Sequence, residues 1–218
     1  MAKITQHELE TLSENLLKEA IEALKYGLKY NYDYCSGGNI GLLKQSIMNF
    51  HRFVEFTLKH FITNINPLLI FEKPFDKQFT LENPKTITFT QALNFFSHNL
   101  EFGILENTSK FNKIKFVSTL NSLGSLRNDV AHLFLSETNE TKLQTIFSEN
   151  IRLIYLIFIE RNTHQKIEKY LNNEEKEMLE ELINVEEDKV KKEEQLKLAN
   201  ALKQVRIYES MGSEILSV

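Results

Sequence analysis

The chain has one cysteine, three prolines and seven glycines in 218 residues. Cys35 alone rules out an intrachain disulfide framework and a cysteine-based metal cluster within one chain. So few glycines and prolines leave too little punctuation for an all-β sandwich with its many turns. No apolar run approaches the ~20 residues of a membrane span. The longest, Ile151 to Ile159, is broken by Arg152. The start, MAKITQHELE, has no apolar core behind a basic end and does not read as a signal peptide. With a net charge of −4 the molecule is no polycation, so any nucleic-acid contact must come from a local patch. These absences lead us to expect a soluble cytoplasmic protein without a membrane partner.

What is present is an ordinary globular composition, 42% hydrophobic and 26% charged, written mostly in helical periods. Thr5 and Glu8 form a T-x-x-E capping box. Behind it Leu9, Leu12, Leu16, Ala20, Leu24 and Gly27 recur every three or four residues. Ser36-Gly37-Gly38-Asn39-Ile40-Gly41 ends that helix. It lacks the Lys-Ser/Thr of a phosphate-binding loop and reads as a turn. A second helix carries Leu43, Ile47, Phe50, Val54, Leu58 and Phe61 on one stripe, so the two should pair as a hairpin.

All three prolines (Pro67, Pro74 and Pro84) fall in 64–88, which predicts an irregular surface excursion. Thr86 to Thr90 alternates like a strand. The Thr88/Gln91 pair favours a helix start instead. Further helices are expected from about Lys110 to Val130 and from about Glu140 to Leu171, the latter apolar nearly all round and so central. The expected fold is all-α, with a helical domain over 1–171 and a charged helical tail over 172–218. The tail holds 7 basic and 12 acidic residues and carries the acidity of the chain. It reads either as a projecting partner-binding arm or as a merely solvated helix.

The informative segment runs Leu120-Asn-Ser-Leu-Gly-Ser-Leu-Arg-Asn-Asp-Val-Ala-His132. On a helix, Phe116, Val117, Leu120, Leu123 and Val130 form an apolar stripe with Arg127 in its middle. A buried guanidinium is expensive unless its donors are satisfied, so the stripe should meet a polar site or a subunit interface. His132, five residues on, lies about 140° round an ideal helix from Arg127. The two converge only if the helix ends, bends or widens near Val130, or if a second copy supplies its own His across a two-fold axis.

Arg127-Asn128-x-x-x-His132 resembles the R-x4–6-H signature of the HEPN superfamily, including the polar residue that often follows the Arg. The setting is similar too: an N-terminal helical pair, an apolar second helix, and a long apolar helix after the motif. The resemblance covers about residues 5–171 and implies a four- to five-helix bundle that dimerises through the motif helices. It also implies a metal-independent endoribonuclease without a cofactor, of the kind acting in toxin–antitoxin modules, abortive infection and antiviral defence. RNA would be the substrate, and an antitoxin or another defence protein a possible partner. The implied catalytic residues are Arg127, Asn128 and His132. His132 would move a proton at the ribose 2′-OH or the 5′-oxygen. Arg127 would hold the phosphate, and Asn128 would orient His132 or the phosphate by hydrogen bonds. In family members paired with a nucleotidyltransferase the motif often continues as H-x-Y. Here Phe134 has no hydroxyl for that modification. The same residues also fit a non-catalytic module, in which the motif builds a dimer and the acidic tail recruits a protein.

Other signals are weaker. His51 and Glu55, one turn apart, read as a support for the site, a metal pair or, most often for such pairs, a packed or surface pair. His60, His98 and His164 have no partner at ligand spacing. Cys35 reads as a small buried hydrophobe. The phenylalanines read as core. Lys110, Lys113 and Lys115 read as a stretch of RNA path or as solvated lysines, and Asp129 as exposed.

Overall fold

The computed structural model describes residues 5–74, 85–99, 113–132, 147, 150 and 168–182. The chain divides into two compact units, Met1–Leu179 and Glu180–Val218. Of the second, residues 180–182 are described, and they are helical. Among the described residues helix dominates, and the extended pairing is one isolated antiparallel bridge, Phe71 with Thr86. The fold class is all-α, and no described helix is long and apolar enough to cross a membrane.

Helix α1, Gln6–Cys35, begins at the expected capping box. The Glu8 amide donates to the Thr5 hydroxyl, and the Glu8 carboxylate accepts from the Thr5 amide at 2.7 Å. The Glu8 carboxylate accepts from both the Thr5 amide and the Thr5 hydroxyl, and these two bonds hold it below its usual pKa, the backbone bond contributing most. The turn after α1 needs its glycines. Gly37 sits at φ 98°, and a Cβ on Gly38 would lie 2.6 Å from the Asp33 carbonyl oxygen. Asn39 then caps α2, Ile40–Ile65, its Oδ1 accepting from the Gly41 amide at 2.8 Å. Asn39→Ala should therefore cost about 1 kcal/mol in denaturant unfolding. Each large apolar side chain buried in the hairpin contributes roughly 2 kcal/mol, so the variant stays folded. An unchanged midpoint would show that the cap is idle.

The hairpin is tight. Ser46 Oγ donates to the Gly27 carbonyl at 2.8 Å, and a Cβ on Gly27 would meet the Phe50 ring at 3.0 Å. Leu16, Ala20, Leu24 and Leu28 of α1 are buried, as are Leu43, Ile47, Phe50, Phe53, Val54, Leu58 and Ile62 of α2. Phe61, expected on the stripe, is half-buried. Proline opens the next element, a 3-10 turn Pro67–Ile70. Helix α3, Phe89–Asn99, follows the bridge, with Gln91 Oε1 accepting from the Thr88 amide at 2.8 Å. The bridge and the helix start share the segment that reads both ways in sequence.

Helix α4, Lys113–His132, packs against α2 and α3. Among its described side chains, from 117 to 131, Leu120, Leu123 and Leu126 are buried, while Val117, Arg127 and Val130 are half-buried. The buried face reaches round to Leu126, and Arg127, half-buried, falls between Leu120 and Leu123 round the helix, within that face. Asn150, fully buried, donates to Ser122 Oγ at 3.0 Å, and Ser122 donates in turn to the Thr119 carbonyl. Most of the helix expected over 140–171 lies outside the described residues, as do Phe134, Lys110 and His164. Its expected end differs: 168–170 form a 3-10 turn and Leu171 a bend. Asn172 and Glu175 cap each other's amides at 2.8 Å, starting a helix over 173–182. Lys25 bridges to Glu175 at 3.1 Å. The rest of the charged tail lies outside the described residues.

Candidate functional site

Arg127 and Asn128 sit five and four residues before the end of α4. The Arg127 guanidinium donates through Nη1 to Asn128 Oδ1 at 2.9 Å. A guanidinium carries five N–H donors, and among the described residues this is the one hydrogen bond that Arg127 makes. Among the described residues the lysine and arginine ion pairs are Lys25–Glu175, Arg52–Glu19, Lys59–Glu55 and Lys85–Glu72, and Arg127 enters none of them. The result is a half-buried cation steadied by its exposed neighbour and not neutralised by a described carboxylate. Asp129 is exposed, as expected.

His132 is the last residue of α4, and its side chain lies outside the described residues. The helix neither ends nor changes type before it. The backbone register therefore keeps the two motif positions about 140° apart round the same helix. Within one chain Arg127 and Asn128 are brought together. His132 occupies a different face.

The surroundings of Arg127 contain groups that the motif does not announce. On α2, His51, Glu55 and Lys59 form a polar row at spacings of four. His51 and Lys59 are buried and Glu55 is half-buried. Lys59 Nζ donates to Glu55 Oε1 at 2.7 Å and to Thr86 Oγ1 at 3.2 Å. His51 Nδ1 stands 3.9 Å from Glu55 Oε2, too far for a hydrogen bond. The His51 ring lies 4.5 Å from that of Phe89, centroid to centroid. Phe89 also reaches α4, where a Cβ on Gly124 would meet its ring at 3.3 Å. Burial pushes the His51 pKa down to about 4; Glu55 works against this, and the positive charges of Arg127 and Lys59 add to it. At neutral pH the His51 imidazole is therefore uncharged, and its contact with Glu55 is no ion pair.

Lys59, Thr86 and Phe89 do not stand out in the sequence as functional residues. The available signal was the continuation of His51–Glu55 by a third polar residue four positions on, in the most apolar stretch of the N-terminal half. His51 and Glu55 stand one turn apart on α2 with 3.9 Å between Nδ1 and Oε2. No cluster of three or more potential metal ligands occurs among the described residues.

A second polar cluster joins α1 to α2. Ser13 Oγ lies 3.1 Å from His60 Nδ1 and 2.8 Å from Thr63 Oγ1. Thr63 gives its proton to the His60 carbonyl at 2.7 Å, so Ser13 must donate to Thr63. His60 Nδ1 faces the Ser13 carbonyl at 3.1 Å and must carry hydrogen to bond there. The serine proton is thus directed away from the imidazole, and the cluster is a clip between helices rather than an activated nucleophile. Cys35, expected to be buried, is exposed at the last position of α1, beyond the part of the helix that the hairpin core covers.

Comparison with protein-family models, curated proteins and solved structures returns no match.

Proposed function

We propose that the chain is a metal-independent endoribonuclease of the HEPN kind, acting as a toxin or effector in prokaryotic antiviral defence. The observation that carries this reading is Arg127: a half-buried guanidinium that, among the described residues, makes one hydrogen bond and no ion pair, its charge felt by an uncharged imidazole on α2. Such a group suits a phosphodiester, whose charge it meets at a partly desolvated site. The R-N-x-x-x-H spacing supplies a histidine for proton transfer. Because α4 stays regular, the working pair is Arg127 of one copy and His132 of a second, set side by side across a two-fold axis.

In this reaction His132 takes the proton from a ribose 2′-OH. The 2′-oxygen bonds to phosphorus, and the P–O5′ bond breaks. The leaving 5′-oxygen receives a proton as the imidazolium of His132 gives its own back, directly or through water, leaving a 2′,3′-cyclic phosphate and a 5′-hydroxyl. Arg127 binds the non-bridging oxygens as their charge grows, and Asn128 holds the guanidinium in line. The nucleophile is internal to RNA and both catalytic groups are side chains.

Purified protein incubated with tRNA and with mRNA tests the reading. Cleavage should persist in EDTA, leave cyclic-phosphate ends, and fail on the same sequence as DNA or with 2′-O-methyl groups. Cleavage of DNA, or cleavage that requires Mg²⁺, would refute the mechanism. No cleavage of any RNA would leave the motif as a dimer-building element.

A further inference from the structure

The C-terminal half of α1 has an open side that neither the hairpin core nor the motif uses. Residues 23–32 read ALKYGLKYNY: two lysines and three tyrosines with no acidic residue among them, bracketed by Glu22 and Asp33. At about 100° per residue, Tyr32, Lys25, Lys29, Tyr26 and Tyr30 follow one another round about 160° of the helix. Leu24 and Gly27, on the opposite side, are buried, whereas Tyr26, Lys29 and Tyr32 are exposed and Lys25 and Tyr30 half-buried. The Tyr26 and Tyr30 rings stack, with 6.3 Å between centroids and 24° between planes. One anion already sits on this side. Glu175 Oε2, in the first turn of the helix over 173–182, lies 3.1 Å from Lys25 Nζ and also accepts from the Asn172 amide at 2.8 Å. Lys29, one turn further along α1, enters no ion pair among the described residues.

We propose that this side of α1 is a second binding surface for single-stranded RNA, with bases stacked on Tyr26 and Tyr32 and phosphates held by Lys29 and, once Glu175 is displaced, by Lys25. The proposal rests on the reading of the chain as an enzyme that acts on RNA. Lysines interleaved with exposed aromatic rings suit a single strand, whose bases are free to stack while its backbone follows the positive charges. A duplex keeps its bases stacked on one another and gives the rings nothing to hold. Glu175 is an internal competitor. Its carboxylate occupies the place of a phosphate on Lys25, so RNA must take that lysine from it.

The test is the binding of the full chain to a short fluorescent single strand of RNA whose 2′-hydroxyls are methylated, so that no cleavage interferes. Tyr26→Ala should weaken binding about tenfold and leave any binding of the corresponding duplex unchanged. Lys29→Gln should lower the slope of log K against log salt by about 0.7. Lys18→Gln removes the same charge from the same helix, beside Glu14 and Glu22, and should leave the slope as it is. Glu175→Gln keeps an acceptor for the Asn172 amide and should raise the affinity about threefold. Glu177→Gln makes the same change of charge at an exposed position of the same helix and should leave the affinity unaltered. Unchanged binding of the single strand by Tyr26→Ala and Lys29→Gln overturns the proposal and leaves this side to a protein partner. So does an equal loss on single strand and duplex in Tyr26→Ala. A control that matches its counterpart, Lys18→Gln or Glu177→Gln, also overturns it, because net charge alone would then be at work. A wild type that binds neither this strand nor the tRNA and mRNA of the cleavage assay overturns the RNA reading of the whole chain, and the two failures are thereby told apart.

Discussion

Replacing Arg127 or His132 by alanine should lower RNA cleavage about a thousandfold or more while leaving the helical circular dichroism unchanged. Placed general acid–base groups contribute roughly 10²–10⁴ in rate, and one donor aimed at developing charge about 10²–10³. Arg127 is half-buried near the C-terminal end of α4, so its loss should spare the fold. The regularity of α4 sharpens this expectation. If the working pair comes from two copies, mixing the two inactive variants restores it. A mixed dimer has one site with both substitutions and one with neither. After full subunit exchange half the dimers are mixed, so activity should return to about a quarter of wild type. Mixtures that stay as inactive as their components would rule out a shared site. Cleavage surviving in both single variants would remove Arg127 and His132 from the chemistry.

The second large effect is on stability and comes from His51. In the unfolded chain its imidazole gains a proton near pH 6.5. In the fold, burial first, and the charges of Arg127 and Lys59 after it, delay that to about pH 4. Between these values the unfolded state binds a proton that the folded state refuses, so stability must fall as pH falls. The loss ends below about pH 4, where both states are charged, and amounts to about 3 kcal/mol. Glu55 opposes the shift and Phe89 covers the ring. Chemical denaturation of wild type and His51→Gln at pH 7 and pH 4 should give curves whose difference shrinks by about that amount. Parallel losses in both proteins would mean that the imidazole titrates normally.

Local features were the legible ones. The Thr5/Glu8 and Thr88/Gln91 boxes mark the starts of α1 and α3, because a cap depends on residues three positions apart. The hairpin follows from two apolar stripes and a glycine turn. The arginine–asparagine contact follows from adjacency. What escaped depends on distance along the chain. A lysine in sequence reads as solvated, and Lys59 is buried because Thr86, 27 positions later, supplies a second acceptor. Cys35 has the composition of a core residue, but its exposure is decided by where the hairpin core stops. Leu126 lies in the buried face of α4 because α2 and α3 approach from that side, which the apolar spacing alone does not specify. The proposed pairing of Arg127 with His132 is of a further kind, since one helix separates the two positions and the proposal needs a second copy to bring them together.

Cys35 also gives the molecule a ruler. It is the chain's one thiol, and it stands open to reagents at the outer end of a 30-residue helix. A nitroxide attached there labels each copy once, so a symmetric pair yields one spin–spin distance and a monomer yields none. That distance, measured in frozen solution with and without RNA, would report how two copies are arranged without altering a residue of α2, α3 or α4.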